Sequence, residues 1–166
     1  MNTEKMIKAL YDKNAKEAYT VLLELEQVAE TNDVLYNYFE EFIEMIHNDN
    51  SYIRVRGYRL LCKQAKWDKL NKINQMIDEI LNETEDEKPI AVRQKINALN
   101  DIAKNKKELN WIEFKNKTKY FSYKYFKIQR KHARINIKRC YKTIEIIGKL
   151  NLNKELNNNG IRNNGT

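Results

Sequence analysis

The sequence predicts an all-α fold, a right-handed α-α superhelix of about four antiparallel helix pairs, and three observations point there. A phrase recurs 37 residues apart: Asp49-x5-Val55-Arg56-x-x-Arg59-x-x-Cys62-x-x-Ala65 and Asp86-x5-Val92-Arg93-x-x-Ile96-x-x-Leu99-x-x-Ile102. Self-similarity at a fixed period of about 20–50 residues marks stacked units, each burying its apolar side against its neighbours. The composition, with one Pro, four Gly and 33% charged residues, suits helices joined by short loops and not a turn-rich sandwich. Apolar residues, finally, recur at spacings of three and four along most of the chain.

The first helix is expected over 3–11, followed by one whose stripe is Ala15, Ala18, Leu22, Leu25 and Ala29. A third, over 33–46, buries Leu35, Phe39, Phe42 and Ile46, with Asn32 or Asp33 as N-cap. The turn-forming run His47-Asn48-Asp49-Asn50 ends it. Ser51 is expected to cap a helix reaching to about residue 66, with Val55, Tyr58, Cys62 and Ala65 inward. Asp68 should cap the next, in which Leu70, Ile73, Ile77 and Ile80 share a face. The polar run 82–88 breaks the pattern, and Pro89 opens a helix carrying Val92, Ile96, Leu99 and Ala103. One further period takes Arg93 to Arg130, within a basic segment whose Ile137, Tyr141, Ile144 and Ile147 are again helically spaced. One period back from Asp49 lies Asp12, so both ends read as degenerate copies, as terminal repeats usually are.

Residues 1–149 thus form one helical repeat domain, enough to bury a core without staples. Residues 150–166 read as a disordered tail, since seven of the sixteen residues from Asn151 onward are asparagine. Cys62 and Cys140, far apart in apolar-periodic segments, are expected to be buried thiols in a reduced cytoplasm. No run approaches the ~18 apolar residues of a membrane span.

The repeated phrase resembles that of the HEAT-like, armadillo-type helical repeat proteins, and the chain is similar to small bacterial members of that group. The resemblance implies an Asp in the turn before each second helix and a Val-Arg pair in that helix's first turns. Asp49 with Val55-Arg56 and Asp86 with Val92-Arg93 carry it over about residues 33–104, and Asp12 and Arg130 extend it weakly. The signatures of tetratricopeptide and ankyrin repeats are absent. Such an Arg can reach the Asp of an adjacent turn, so Arg56 and Arg93 are expected to fix how one pair stacks on the next, while Val55 and Val92 point into the core.

Enzyme signatures are missing: there is no glycine-rich phosphate loop, no His-Glu-x-x-His and no Cys-x-x-Cys. His47 and His132 lack neighbours at metal-ligand spacing, and the carboxylates of Glu40-Glu41-Glu44 and Asp78-Glu79 read as solvated helix faces. No cofactor, metal or catalytic residue is therefore expected. The net charge of +8 is unevenly spread: residues 1–103 hold 14 Lys/Arg against 19 Asp/Glu, whereas residues 104–142 hold 14 against Glu108 and Glu113 alone. In the latter stretch Lys127, Arg130, Arg134 and Lys138 are spaced to form one helical stripe, which Lys124 and Lys131 extend, among eight aromatic residues from Trp111 to Tyr141. Three readings fit this stripe: the solvated cap of a repeat stack, a surface for an acidic protein or peptide, and a surface for nucleic acid, where bases stack on rings and cations neutralise phosphates. The sequence is read as a non-enzymatic interaction module that binds a protein or peptide through a concave surface and this stripe. The alternative is a nucleic-acid-binding protein, similar in helical repeats and basic charge to the HEAT-like DNA-alkylation repair glycosylases, although no motif carries their catalytic residues over to this chain.

Overall fold

The structure is a computed structural model and describes residues 2–106 and Leu109. The described residues are helical, without strands: α1 (Thr3–Ala9), α2 (Ala15–Thr31), α3 (Phe39–Ile46), α4 (Ser51–Lys63), α5 (Lys72–Gln75), α6 (Ile77–Asn82) and α7 (Pro89–Asn105), with 3-10 turns at Val34–Tyr38 and Gln64–Lys66.

Asparagines do the capping at three of these starts. The side chains of Asn2, Asn14 and Asn50 accept hydrogen bonds from backbone N–H groups in the first turns of α1, α2 and α4, groups that have no partner within the helix. Asn50, and not Ser51, is therefore the cap of α4. Pro89 opens α7, where its missing N–H costs nothing. The third predicted helix starts later than its apolar spacing indicates, because residues 34–38 wind as a 3-10 turn. Asp33 makes no side-chain cap there, and the Asn32 side chain accepts from the N–H of Val34.

The largest departure lies between Asp68 and Ile80. One helix over this stretch is replaced by two short ones, and Leu70, placed on the buried stripe by its spacing, is 65% exposed. The physical reason is Asn71, whose φ of 55° reverses the backbone just before α5; asparagine tolerates this left-handed conformation better than most residues. Asp68 still satisfies the start of α5, but from four and five residues upstream, accepting from the N–H groups of Lys72 (3.0 Å) and Ile73 (2.9 Å).

The core runs through all of these elements. α4 is its centre, packing against α3 on one side and against α2 and α7 on others, while α1 lies on α2. Leu10, Leu22, Leu25, Leu35, Phe42, Met45, Tyr58, Leu61, Ile80 and Leu99 are sealed from solvent within one cluster. Burying each such large apolar side chain contributes about 1.5–3 kcal/mol. α3 and α4 touch at Gly57, where a Cβ would lie 2.3 Å from Met45 Cβ and 3.1 Å from the Phe42 carbonyl oxygen. The repeated phrase is seen in equivalent surroundings at its apolar positions: Val55 and Val92, Cys62 and Leu99, and Ala65 and Ile102 are all buried. Its charged positions are not equivalent.

Candidate functional site

Two buried carboxylates hold the loops that lead into α5 and α7. Asp86 receives the Arg54 Nε (3.0 Å), the Ser51 hydroxyl (2.8 Å), the Lys88 N–H (3.1 Å) and the Lys95 ammonium (3.1 Å). Lys95 is fully buried and also donates to the carbonyls of Glu83 (2.8 Å) and Glu85 (3.3 Å). Burial pushes the Asp86 carboxyl up, but these donors outweigh it and hold the group well below the usual carboxylate range. Asp68 is arranged in the same way. Besides the two amides of α5 it accepts from Tyr36 Oη (2.8 Å) and pairs with the Lys106 ammonium (2.9 Å), and the donors again overcome burial to lower its pKa.

Arg54 thus does what the sequence assigns to Arg56. It reaches Asp86, 32 residues further along the chain, and also holds the carbonyls of Asn48 and Asp49 (2.9 and 2.7 Å). Asp49 itself is exposed, so the two aspartates of the repeated phrase play different parts. Arg56 donates instead from Nη1 to the Leu10 carbonyl (2.6 Å), tying α4 to the end of α1. Arg93 is half-buried on α7 and forms no ion pair with another described residue.

Further along α4, Arg59 pairs with Glu26 of α2 through Nε (2.8 Å) and Nη2 (2.7 Å) and donates to Gln94 of α7 (2.9 Å). Lys63 likewise bridges Glu30 of α2 and Asp101 of α7. These cations cross-link the three long helices.

Toward their N-terminal ends the same helices part to leave a groove of about 420 Å³. Ala15, Tyr19 and Leu22 of α2 form one wall, Ser51, Tyr52, Val55 and Arg56 of α4 the floor, and Lys88 with Pro89, Ile90, Ala91 and Gln94 of α7 the other wall. Tyr19, Tyr52 and Ile90 remain 48%, 56% and 63% exposed, and the Lys88 ammonium lies 4.5 Å from the centre of the Tyr52 ring. Ligand pockets usually measure about 300–1,000 Å³ and are mainly apolar with a few polar groups, so this groove has the dimensions and the lining of one.

Of the predicted site residues, Val55 and Arg56 line the groove, while Asp86 braces the loop leading to its α7 wall and Val92 lies in the core beneath. Lys124, Lys127, Arg130, Lys131, Arg134 and Lys138 lie outside the described residues. Sequence reasoning missed Tyr19, Tyr52, Lys88 and Ile90. One available signal was that Tyr52 and Ile90, large and off the buried stripes, are each the second residue of a long helix. Among the described residues no group of three His, Cys, Asp or Glu is placed to hold a metal ion, and no helix is long and apolar enough to cross a membrane. No family model, curated protein or solved structure matches the chain.

Proposed function

We propose that the protein is a non-enzymatic interaction module of HEAT-like architecture, in which stacked helix pairs present α2, α4 and α7 as one concave surface to a protein or peptide partner. The observation that carries this reading is the groove between those helices, an apolar cleft whose rim leaves Tyr19, Tyr52 and Ile90 in water. Aromatic and aliphatic anchors entering such clefts supply most of the energy of protein recognition. The basic stripe Lys124, Lys127, Arg130, Lys131, Arg134 and Lys138 is the second contact region in this proposal, adding electrostatic attraction for an acidic partner. Selection of short displayed peptides against the full chain tests the reading. Enriched peptides should lose binding to the Ile90→Asp variant and keep it with Leu70→Asp, a comparably exposed site that does not line the groove. Equal binding to both variants removes the groove from the proposal.

Nucleic-acid binding is the second reading, favoured by the near absence of carboxylates among residues 104–142. It predicts steeply salt-dependent binding of duplex or single-stranded DNA in fluorescence anisotropy. The absence of binding at low salt sinks it.

A further inference from the structure

We propose that the partner segment received by this groove carries a side-chain carboxylate beside a bulky apolar residue, the carboxylate seated against Arg56 and the apolar group held between Tyr19, Tyr52 and Ile90. The proposal rests on the docking reading above and names the partner's chemistry.

α4 carries four cations, Arg54, Arg56, Arg59 and Lys63. Arg54, Arg59 and Lys63 each form an ion pair with a carboxylate. Arg56 is the exception: it is only 5% exposed, and among the described residues its side chain forms no ion pair and donates one hydrogen bond, to the neutral Leu10 carbonyl. Burial accordingly draws its pKa down, and Asp12 and the Tyr52 phenol, acting through space, offset this only in part. A buried charge with no carboxylate in direct contact is costly, and an incoming carboxylate that completes a hydrogen-bonded pair lowers that cost at the moment of binding. Guanidinium is also the side chain best matched to a carboxylate, through two parallel N–H donors.

The walls have the same polarity. The lining includes Arg56 and Lys88 and no Asp or Glu. The first turns of α2, α4 and α7, which border the groove, add the positive ends of three helix dipoles. Apolar side chains make up most of the remaining surface and exclude the water that would otherwise weaken the pair. Charge complementarity therefore favours an anionic group, and the exposed rings favour an apolar neighbour to it.

End-capped synthetic versions of the enriched peptides, titrated against the full chain by fluorescence anisotropy, provide the test. The expected sequences pair Glu or Asp with Leu, Ile or Phe, and changing the acid to its amide should weaken binding about thirtyfold or more. Arg56→Met should abolish the difference between acid and amide peptides while circular dichroism shows the helices retained. If Arg56→Met fails to fold, the acid-to-amide comparison on the unaltered protein decides alone. Groove-dependent peptides that lack an acid, or that bind equally well as amides, overturn this proposal and leave the docking reading standing. A dimer in light scattering that dissociates on Ile90→Asp assigns the groove to a second copy of the chain and also overturns it. Failure to enrich any groove-dependent peptide removes both readings.

Discussion

Replacing Asp86 by Asn should be among the most damaging conservative changes in the protein. The side chains of Asp86 and Lys95 are both fully buried and lie 3.1 Å apart. The amide keeps the shape and discards the charge. It also turns an N–H2 donor toward one of two pairs of donors, Arg54 Nε with the Lys95 ammonium or the Ser51 hydroxyl with the Lys88 N–H, whichever oxygen the amide nitrogen replaces. Lys95 is left with neutral partners, among them the carbonyls of Glu83 and Glu85, and loses the charge of Asp86. Breaking a buried pair from one side costs about 3–5 kcal/mol, a large part of the ~5–15 kcal/mol that holds a typical domain together. Adding Lys95→Met to Asp86→Asn removes the stranded ammonium and should recover most of the loss. The acid behaviour follows from the lowered pKa of Asp86. Its contribution is complete above the unfolded-state value of about 3.9 and is lost as the pH falls below that toward the folded-state value. The unaltered protein should therefore lose stability across this window more steeply than the Asp86→Asn variant. Urea unfolding followed by circular dichroism, near neutrality and below pH ~4, measures both effects. A cost under about 1 kcal/mol for Asp86→Asn, or a double variant no more stable than the single one, would refute the reasoning.

Two further outcomes are expected. Gly57→Ala places a methyl group 2.3 Å from Met45 Cβ, on a backbone that cannot yield cheaply; the overpacking should cost about 1–3 kcal/mol despite alanine's better helix propensity, read as a lower thermal midpoint. Asp68→Ala removes the acceptor of the Lys72 and Ile73 amides and takes the carboxylate from the buried Lys106 ammonium, which keeps the neutral Asp68 carbonyl and Asn71 Oδ1. Those two amides should then exchange with solvent markedly faster, and stability should fall by about 3 kcal/mol. Unchanged exchange would show that Asp68 does not hold the start of α5.

Sequence periodicity reported the core well wherever one helix persists long enough to keep a face. Ala18, Leu22, Leu25 and Ala29 on α2, and Val92, Ile96, Leu99 and Ala103 on α7, are buried as their spacing indicates, whereas Ala15, placed on the same stripe, is exposed where α2 begins at the groove. It failed at Leu70 because three- and four-residue spacing cannot register a single left-handed residue, Asn71, that resets the phase. The charged residues were legible as types and not as pairs. Arg54 and Arg56 are two positions apart and face different directions, so the choice of which meets Asp86 depends on how α4 is rotated against the loop before α7. The groove was legible only in fragments, since its walls come from the first turns of three helices whose convergence is a property of packing.

Most of the polar ties between successive elements span similar lengths of chain. Tyr11 to Glu41, Tyr36 to Asp68, Arg54 to Asp86, Glu26 to Arg59, Ala29 to Trp67 and Asp68 to Lys106 are separated by 30 to 38 residues. Loop-closure entropy grows only logarithmically with length, so these closures cost nearly the same, and none must wait for a distant end of the protein. During synthesis on a ribosome each tie can close as soon as the next helices emerge, with its earlier half already in place. The buried charges are thereby sheltered in turn, and a growing chain has only the newest of them to shield from misplaced partners.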